Sequence, residues 1–251
     1  MYEVAIQRAA ALLHASKHAI ALTGAGVSTP SGVPDFRSVG SGLWARHNPL
    51  EKASLVSFRR DPNAFYAWLR PLARAMCQAE PNPAHRALAR LEAMGVLKAL
   101  ITQNIDNLHR MAGSRVVHEV HGHFRTATCV SCYAECEVGP FLDAFLQHGL
   151  APACPDCGGV LKPNVILLGE QLPVETFSAA SQAVRACDVM VVAGSSLEVA
   201  PVGGLPRLAA FHGARLILVN DQDTQVDGLA DVVIHANVAE VLPRIVDALQ
   251  C

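Results

Sequence analysis

The chain has 251 residues, a length that allows one large domain or one domain carrying a smaller insert. About half of the residues (51%) are apolar and 17% are charged, which permits a sizeable buried core and excludes wholesale disorder. The formal net charge of −2 offers no electrostatic case for nucleic acid or for a membrane surface as partner.

Taken in chain order, the sequence starts MYEV, with no basic start, apolar signal run or cleavage box. No run of about 18 apolar residues follows anywhere, so a cytoplasmic chain without a membrane span is expected. A helical pattern covers residues 3–16, and an apolar run at 19–23 reads as a strand. Further strands are expected at 99–102, 116–120, 189–193, 216–219 and 232–235, and further helices at 83–94, 175–186 and 238–249. Several of the strands are nearly continuous apolar runs, as parallel strands covered on both faces are. Strand and helix in alternation predict an α/β fold with a doubly wound parallel sheet of Rossmann-like type.

Two segments interrupt that rhythm. Residues 38–82 hold glycines and then a helical stretch with Tyr66 and Trp68, and residues 129–157 hold paired cysteines around a helix-like piece at 140–147. Both read as excursions that together build a smaller inserted domain, one part helical and one part metal-binding. The expected division is 1–37, 83–122 and 163–251 for the large domain, and 38–82 and 123–162 for the small one.

After the first strand comes GAGVSTPSGVPDFRS, residues 24–38. Gly24 and Gly26 would let the backbone turn tightly and bring its amides to a diphosphate. The fragment has an ordinary meaning too, a tight turn out of a strand, because Thr29 stands where the usual dinucleotide fingerprint has its third glycine. A hydride-transfer enzyme would also need an acidic residue about 20 positions on, at the end of a second strand. Here that region reads LWARH, with no strand leading into it, which argues against a conventional dehydrogenase.

Cys129-x-x-Cys132 and Cys154-x-x-Cys157 are two knuckles with 21 residues between them. Such spacing lets four thiolates converge on one Zn²⁺ in a closed, structural site. Cys136 is near enough to compete as a ligand but lacks a knuckle partner. The remaining thiols, Cys77, Cys187 and Cys251, read as ordinary.

With TQNIDNLH (102–109), His121-Gly122, KPNVILLGE (162–170) and GSSLEVAP (194–201), the order and spacing of these motifs resemble the sirtuin family over nearly the whole chain. The resemblance implies an NAD-consuming enzyme that removes acyl groups from protein lysines, with NAD lying in a cleft between a Rossmann-like domain and a small domain. Gly24, Ala25, Gly26, Gly194, Ser195, Ser196 and Asn220 match positions for the diphosphate and adenosine half. Asp35, Phe36, Asn104, Ile105 and Asp106 match the nicotinamide pocket, and Arg37 and Gln103 match further cofactor contacts. His121 matches the catalytic histidine, with Asn104 beside the reacting centre. An acyl-lysine peptide or protein would enter as an extended strand between 169–172 and 197–199, touching Ile166, Leu168, Gly169, Glu170, Leu197, Glu198 and Val199. An ADP-ribosyltransferase using the same pocket is the competing activity, and a non-catalytic NAD sensor would need a ruined pocket. Nothing in the sequence specifies an oligomeric state.

Two departures bear on the acyl group. Sirtuins that prefer acidic acyl groups carry a tyrosine and, three residues later, an arginine. Here Tyr66 has Leu69 at that offset, and Arg70 falls about 100° further around the helix. Leu168 stands where the family usually places phenylalanine; the smaller side chain would widen the acyl tunnel, unless a neighbouring side chain fills the gap and acetyl stays preferred.

Overall fold

The computed structural model describes residues 2–35 and 48–250. In chain order the elements are α1 (Glu3–Ala15), β1 (Ala19–Thr23), α2 (Pro49–Lys52), α3 (Leu55–Arg60), α4 (Pro62–Gln78), α5 (Pro83–Ala93), β2 (Leu97–Thr102) and α6 (Leu108–Met111). Then follow β3 (Val117–Glu119), β4 (Gly122–Cys129), β5 (Glu135–Glu137), α7 (Gly139–His148), β6 (Leu161–Val165) and α8 (Val174–Ala186). The chain closes with β7 (Val189–Ala193), α9 (Leu205–Phe211), β8 (Arg215–Val219), β9 (Val232–Ile234) and α10 (Val238–Ala248). All six expected strands form, each within two residues of its expected bounds. The expected helices form too.

These six strands make one sheet in the order β3-β2-β1-β7-β8-β9, parallel at every pairing. The order reverses between β1 and β7, the kind of switch point at which such sheets place a crevice at the carboxyl ends of their strands. β1 and β7 are buried at every residue, and their alternation divides the core in two. Ala19, Ala21, Val189 and Val191 join the side chains of α1, α5 and α10 on one face. Ile20, Leu22, Met190 and Val192 pack with those of α8 and α9 on the other.

The segments that break the rhythm make two further clusters. Phe58, Phe65, Tyr66, Leu69 and Leu72 of α3 and α4 meet Phe145 of α7 and Val165 of β6. A three-stranded antiparallel sheet, β5-β4-β6, carries the cysteine knuckles at its end. The sequence reading placed no strand at β4 or β6. HFRTATC and LKPNV alternate polar and apolar residues without a buried-strand run, because only one face of this small sheet is covered.

Arg70 does turn away from the position beside Tyr66. Its Nε and Nη2 donate to the carbonyls of Leu146 and Gln147, both at 2.7 Å, so the guanidinium closes the C-terminus of α7. The Tyr66 hydroxyl donates to the Leu161 carbonyl at 2.8 Å and is fully enclosed. No helix among the described residues is long and apolar enough to cross a membrane.

Candidate functional site

The turns that leave β1 and β7 meet at the switch point through backbone alone. Gly26 N–H donates to the Gly194 carbonyl at 2.8 Å. A Cβ on Gly24 or Gly26 would come within 2.9 Å of that same oxygen, and one on Gly194, whose φ is +61°, would lie 2.3 Å from Val27 N. The glycines are therefore needed for the contact between two loops; neither Gly24 nor Gly26 has a positive φ. This contact is a reason for the glycines beside the expected one. The amides of Gly26, Val27 and Ser28 also donate within the protein, to Gly194, Gly24 and Ala25 respectively, so they form no outward-facing ring.

Beneath this contact lies a buried polar network that the sequence reading missed apart from Asn104 and Asp106. Its centre is the Ser28 hydroxyl, which has no exposed surface. It accepts from Asn104 Nδ2 at 2.9 Å and donates to Asp106 Oδ2 at 2.6 Å. His85 Nε2 lies 3.3 Å away. The other ring nitrogen of His85, Nδ1, accepts from Asn82 N–H at 3.3 Å, which places the proton of the neutral ring on Nε2. Ser28 Oγ then accepts twice and donates once, its full capacity. The signal was present as Asn82-x-x-His85, a capping box at the start of α5 with histidine in place of the usual Glu or Gln. The Asn82 side chain ties back to the loop through Val27 O at 2.8 Å and Ser31 Oγ at 2.9 Å.

A second chain of bonds runs alongside. His109 Nε2 lies 2.9 Å from Thr23 Oγ1, which donates to Thr102 Oγ1 at 2.9 Å; Thr102 Oγ1 in turn accepts the Asn104 amide at 3.1 Å. The rings of His85 and His109 stand 4.8 Å apart. Burial pushes the His85 pKa down to about 4, helped by Arg86, and holds that of His109 well below the usual histidine range, so both rings are neutral. Burial raises the Asp106 pKa, against the hydrogen bonds from Ser28 and Leu108 that lower it.

His121 sits at the joint between β3 and β4, half-buried. Its Nδ1 is 3.1 Å from the Gln103 carbonyl, an acceptor only, so the neutral ring carries its proton on Nδ1 and its lone pair on Nε2. The His121 carbonyl accepts from Ile166 N–H at 2.8 Å. Gln103 itself donates from Nε2 to Ser195 Oγ at 2.8 Å, and Ile105 O faces Phe124 N–H at 3.4 Å. One stretch, 103–106, thus touches the turn after β1, the turn after β7 and the segment holding His121. Ser195 also accepts from Leu197 N–H, while Ser196 and Glu198 are exposed. Asn220 and Asp35 are half-buried, and Asn220 follows β8, where its carbonyl lies 3.2 Å from His235 Nδ1. Ala25 opens the short helical turn after β1. Phe36 and Arg37 lie outside the described residues.

The expected peptide-binding edges carry backbone contacts of their own. Leu197 has a φ of +60°, and its N–H and C=O bond to Ser195 Oγ and Gln225 Nε2. Val199 O accepts from Gly203 N–H at 2.7 Å. On the other edge, Leu168 pairs through both backbone groups with Ala53 and Leu55, and the residue is 40% exposed. Gly169 is exposed, with a φ of +90°. The Glu170 carboxylate turns inward to Lys162 at 2.9 Å and to Leu167 N–H at 2.8 Å.

The sulfurs of Cys129, Cys132, Cys154 and Cys157 all lie within 4.8 Å of one another. Cys129–Cys157 and Cys132–Cys154 are 3.5 and 3.7 Å apart. A tetrahedral Zn²⁺ with bonds of about 2.3 Å sets sulfurs about 3.8 Å apart, whereas a disulfide needs about 2.05 Å. The donor set therefore fits a closed zinc site, and Cys136 stays outside it on β5.

Residues 24–201 match the family model described as "Sir2 family". An NAD-dependent protein deacetylase of Sulfurisphaera tokodaii is 44% identical over 95% of this chain and 94% of its own length. NAD-dependent protein deacylase 2 of Archaeoglobus fulgidus is also 44% identical, over 98% of this chain and 96% of its own. Among solved structures, a Sir2 homolog in complex with NAD superposes with a TM-score of 0.88 at 38% identity, covering 97% of this chain and 93% of that one. Sir2Af2 bound to a myristoylated histone peptide gives 0.85 at 40% identity, covering 99% and 97%.

The neutral buried histidines make stability depend on pH. An unfolded His85 binds a proton below pH about 6.5, and the folded one only below about 4, so the unfolded state holds more protons across that window and stability falls as pH falls through it. The depressed pKa corresponds to about 3 kcal/mol. His85→Gln should show a shallower loss of stability between pH 6.5 and 4 in urea denaturation. Parallel profiles for the two proteins would mean that His85 titrates normally in the fold.

Proposed function

The chain belongs to the Sir2 family, and from that premise we propose that it is an NAD-dependent protein-lysine deacylase whose base is His121. The observation that carries this reading is the Gln103 carbonyl on His121 Nδ1. It aims the lone-pair nitrogen of an imidazole from the same backbone stretch that supplies Asn104 and Asp106. Residues 1–37, 83–122 and 163–251 act as the NAD-binding domain, and 38–82 and 123–162 as the small domain that closes over the substrate.

In this reading Asn104 and Asp106, both buried and tied to Ser28, hold the nicotinamide carboxamide, and Ile105, Asp35 and Phe36 complete that pocket. Gly24, Ala25, Gly26, Gly194, Ser196 and Asn220 line the diphosphate and adenosine half, and the family resemblance makes Arg37 a further cofactor contact. Ser195 Oγ, already accepting from Gln103 and Leu197, keeps its own proton to donate to a phosphate oxygen. Nicotinamide leaves with the electrons of its bond to the ribose carbon, and the acyl oxygen forms a new bond to that carbon. His121 Nε2 then takes the proton of a ribose hydroxyl, which attacks the acyl carbon. An imidazole suits that task near neutral pH. The lysine amine then leaves the acyl carbon with a proton, one water adds to that carbon, and lysine, nicotinamide and O-acyl-ADP-ribose result.

Recombinant protein should deacylate an acetyl-lysine peptide only when NAD is added, with O-acyl-ADP-ribose found by mass spectrometry. His121→Ala should lose turnover by two orders of magnitude or more while binding NAD within a few-fold. ADP-ribose on the protein acceptor, without O-acyl-ADP-ribose, would show the transferase activity instead.

The four cysteines hold one Zn²⁺ that supports the small domain and takes no part in the reaction, since a four-sulfur site has no open position. Elemental analysis should find one zinc per chain. Cys132→Ser should lose it together with thermal stability, and Cys136→Ser should keep it. The reverse pattern would reassign the ligands.

Acyl selectivity follows from what Tyr66, Arg70 and Leu168 do. The Tyr66 hydroxyl is spent on Leu161 O and the Arg70 guanidinium on α7, so neither is set to meet the carboxylate of a succinyl group, whose desolvation would go unmatched. Leu168 leaves room for longer aliphatic chains beside Ile166, each buried methylene contributing up to about 0.8 kcal/mol. Peptides bearing acetyl, octanoyl, myristoyl or succinyl groups should rank succinyl last in kcat/KM. Leu168→Phe should shift the profile toward acetyl; an unchanged profile would remove Leu168 from the tunnel.

A further inference from the structure

One buried carboxylate lies at the centre of contacts that the reaction described above does not use. Glu119 ends β3, two residues before His121, and its side chain is only 8% exposed. Arg125 on β4, four residues after His121, grips it as a fork: Nη1 to Oε1 and Nη2 to Oε2, both at 2.6 Å. Arg110 of α6 adds Nε to Oε2 at 3.3 Å, and its Nη2 donates to the Val117 carbonyl at 3.0 Å. The same Arg125 Nη1 also donates to Asn107 Oδ1 at 2.9 Å.

Asn107 follows Asp106 directly and holds a left-handed conformation, φ +66°. That conformation turns the chain from 104–106 into α6, and an asparagine tolerates it better than most side chains. Next to Arg125, Phe124 N–H reaches Ile105 O at 3.4 Å. The strands on either side of His121 therefore grip the turn carrying Asn104 and Asp106 at three points: Phe124 on Ile105, Arg125 on Asn107, and Glu119 on Arg110. A partly covered, bidentate arginine–carboxylate pair holds both distance and angle, which a single ammonium contact does not.

We propose that Arg125, with Glu119, is a positioning device that sets the spacing between the 104–106 turn and His121, so that leaving group and base engage one substrate together. Neither residue touches the reacting atoms. The pair acts through Asn107 and through the backbone joint that carries His121. The inference rests on the deacylase reading, and it predicts a loss in turnover rather than in NAD binding, because misplacement by a fraction of an ångström weakens the chemical step first.

The test uses the full chain and an acetyl-lysine peptide. Arg125→Ala should lower kcat about 30-fold or more, leave KM for NAD within about threefold, and retain a single cooperative melt. Ethylguanidinium in the tens of millimolar should restore part of the lost kcat, since it can re-form the fork. Arg125→Lys, the milder change, should remain well below wild type because one ammonium cannot bridge both oxygens. Arg244→Ala, which breaks an exposed ion pair to Glu3, serves as the control with unchanged kcat. A wild-type protein that does not deacylate overturns the functional reading itself. An active wild type whose Arg125→Ala variant keeps its kcat overturns the positioning role alone. So does a variant that loses kcat only in step with melting temperature and gains nothing from ethylguanidinium, and so does full activity in Arg125→Lys.

Discussion

Backbone pressed on backbone at Gly26 and Gly194 is the constraint from which the site takes its shape. The turns after β1 and β7 leave adjacent parallel strands at the point where the sheet reverses direction, and they touch with no side chain between them. A methyl group at any of Gly24, Gly26 or Gly194 would force the loops apart. With that contact made, the end of β2 is left to close the crevice from one side. Gln103 does so by reaching across to Ser195, and the residues that follow are delivered beside the turn after β1.

The residues behind the site are buried polar groups, and burial makes an unpaired one costly. Ser28 answers by using every hydrogen-bonding capacity of its hydroxyl, on three partners from two other segments of the chain. The price of that arrangement is that His85 must remain neutral, since its Nδ1 has to accept from Asn82. His109, 4.8 Å away and more deeply enclosed, is held neutral by the same desolvation. Asp106 gains its acceptor role inside this network. The site's polarity is thus set by a layer of side chains behind it.

Charge is placed differently on the outer side. Glu119 is buried but paired, and although burial works to raise its pKa, the hydrogen bonds and charges of Arg125 and Arg110 hold it below the usual range. Two arginines around one carboxylate keep an ionised group beside the joint that carries His121. Cys129 ends β4, and His121 immediately precedes it, so one strand runs from the base to the metal module.

By itself the sequence determined the α/β class, all six parallel strands and the four clustered cysteines. These rest on local signals: continuous apolar runs, 3.6-residue periodicity, and knuckle spacing that survives whatever the rest of the chain does. It also placed Arg70 away from Tyr66, because one residue on a helix is a fixed rotation. Tertiary structure alone decided the second sheet, whose strands are covered on one face only and so lack a buried-strand signature. It decided the contact that the glycines permit with another loop 170 residues away. It decided that Leu197 bends into a left-handed conformation and that Glu170 turns to Lys162. Above all it decided the partners of Ser28, His85, Glu119 and Arg125. A hydrogen bond joins residues by position in space, and 57 residues separate Ser28 from His85 with no period or spacing to betray them.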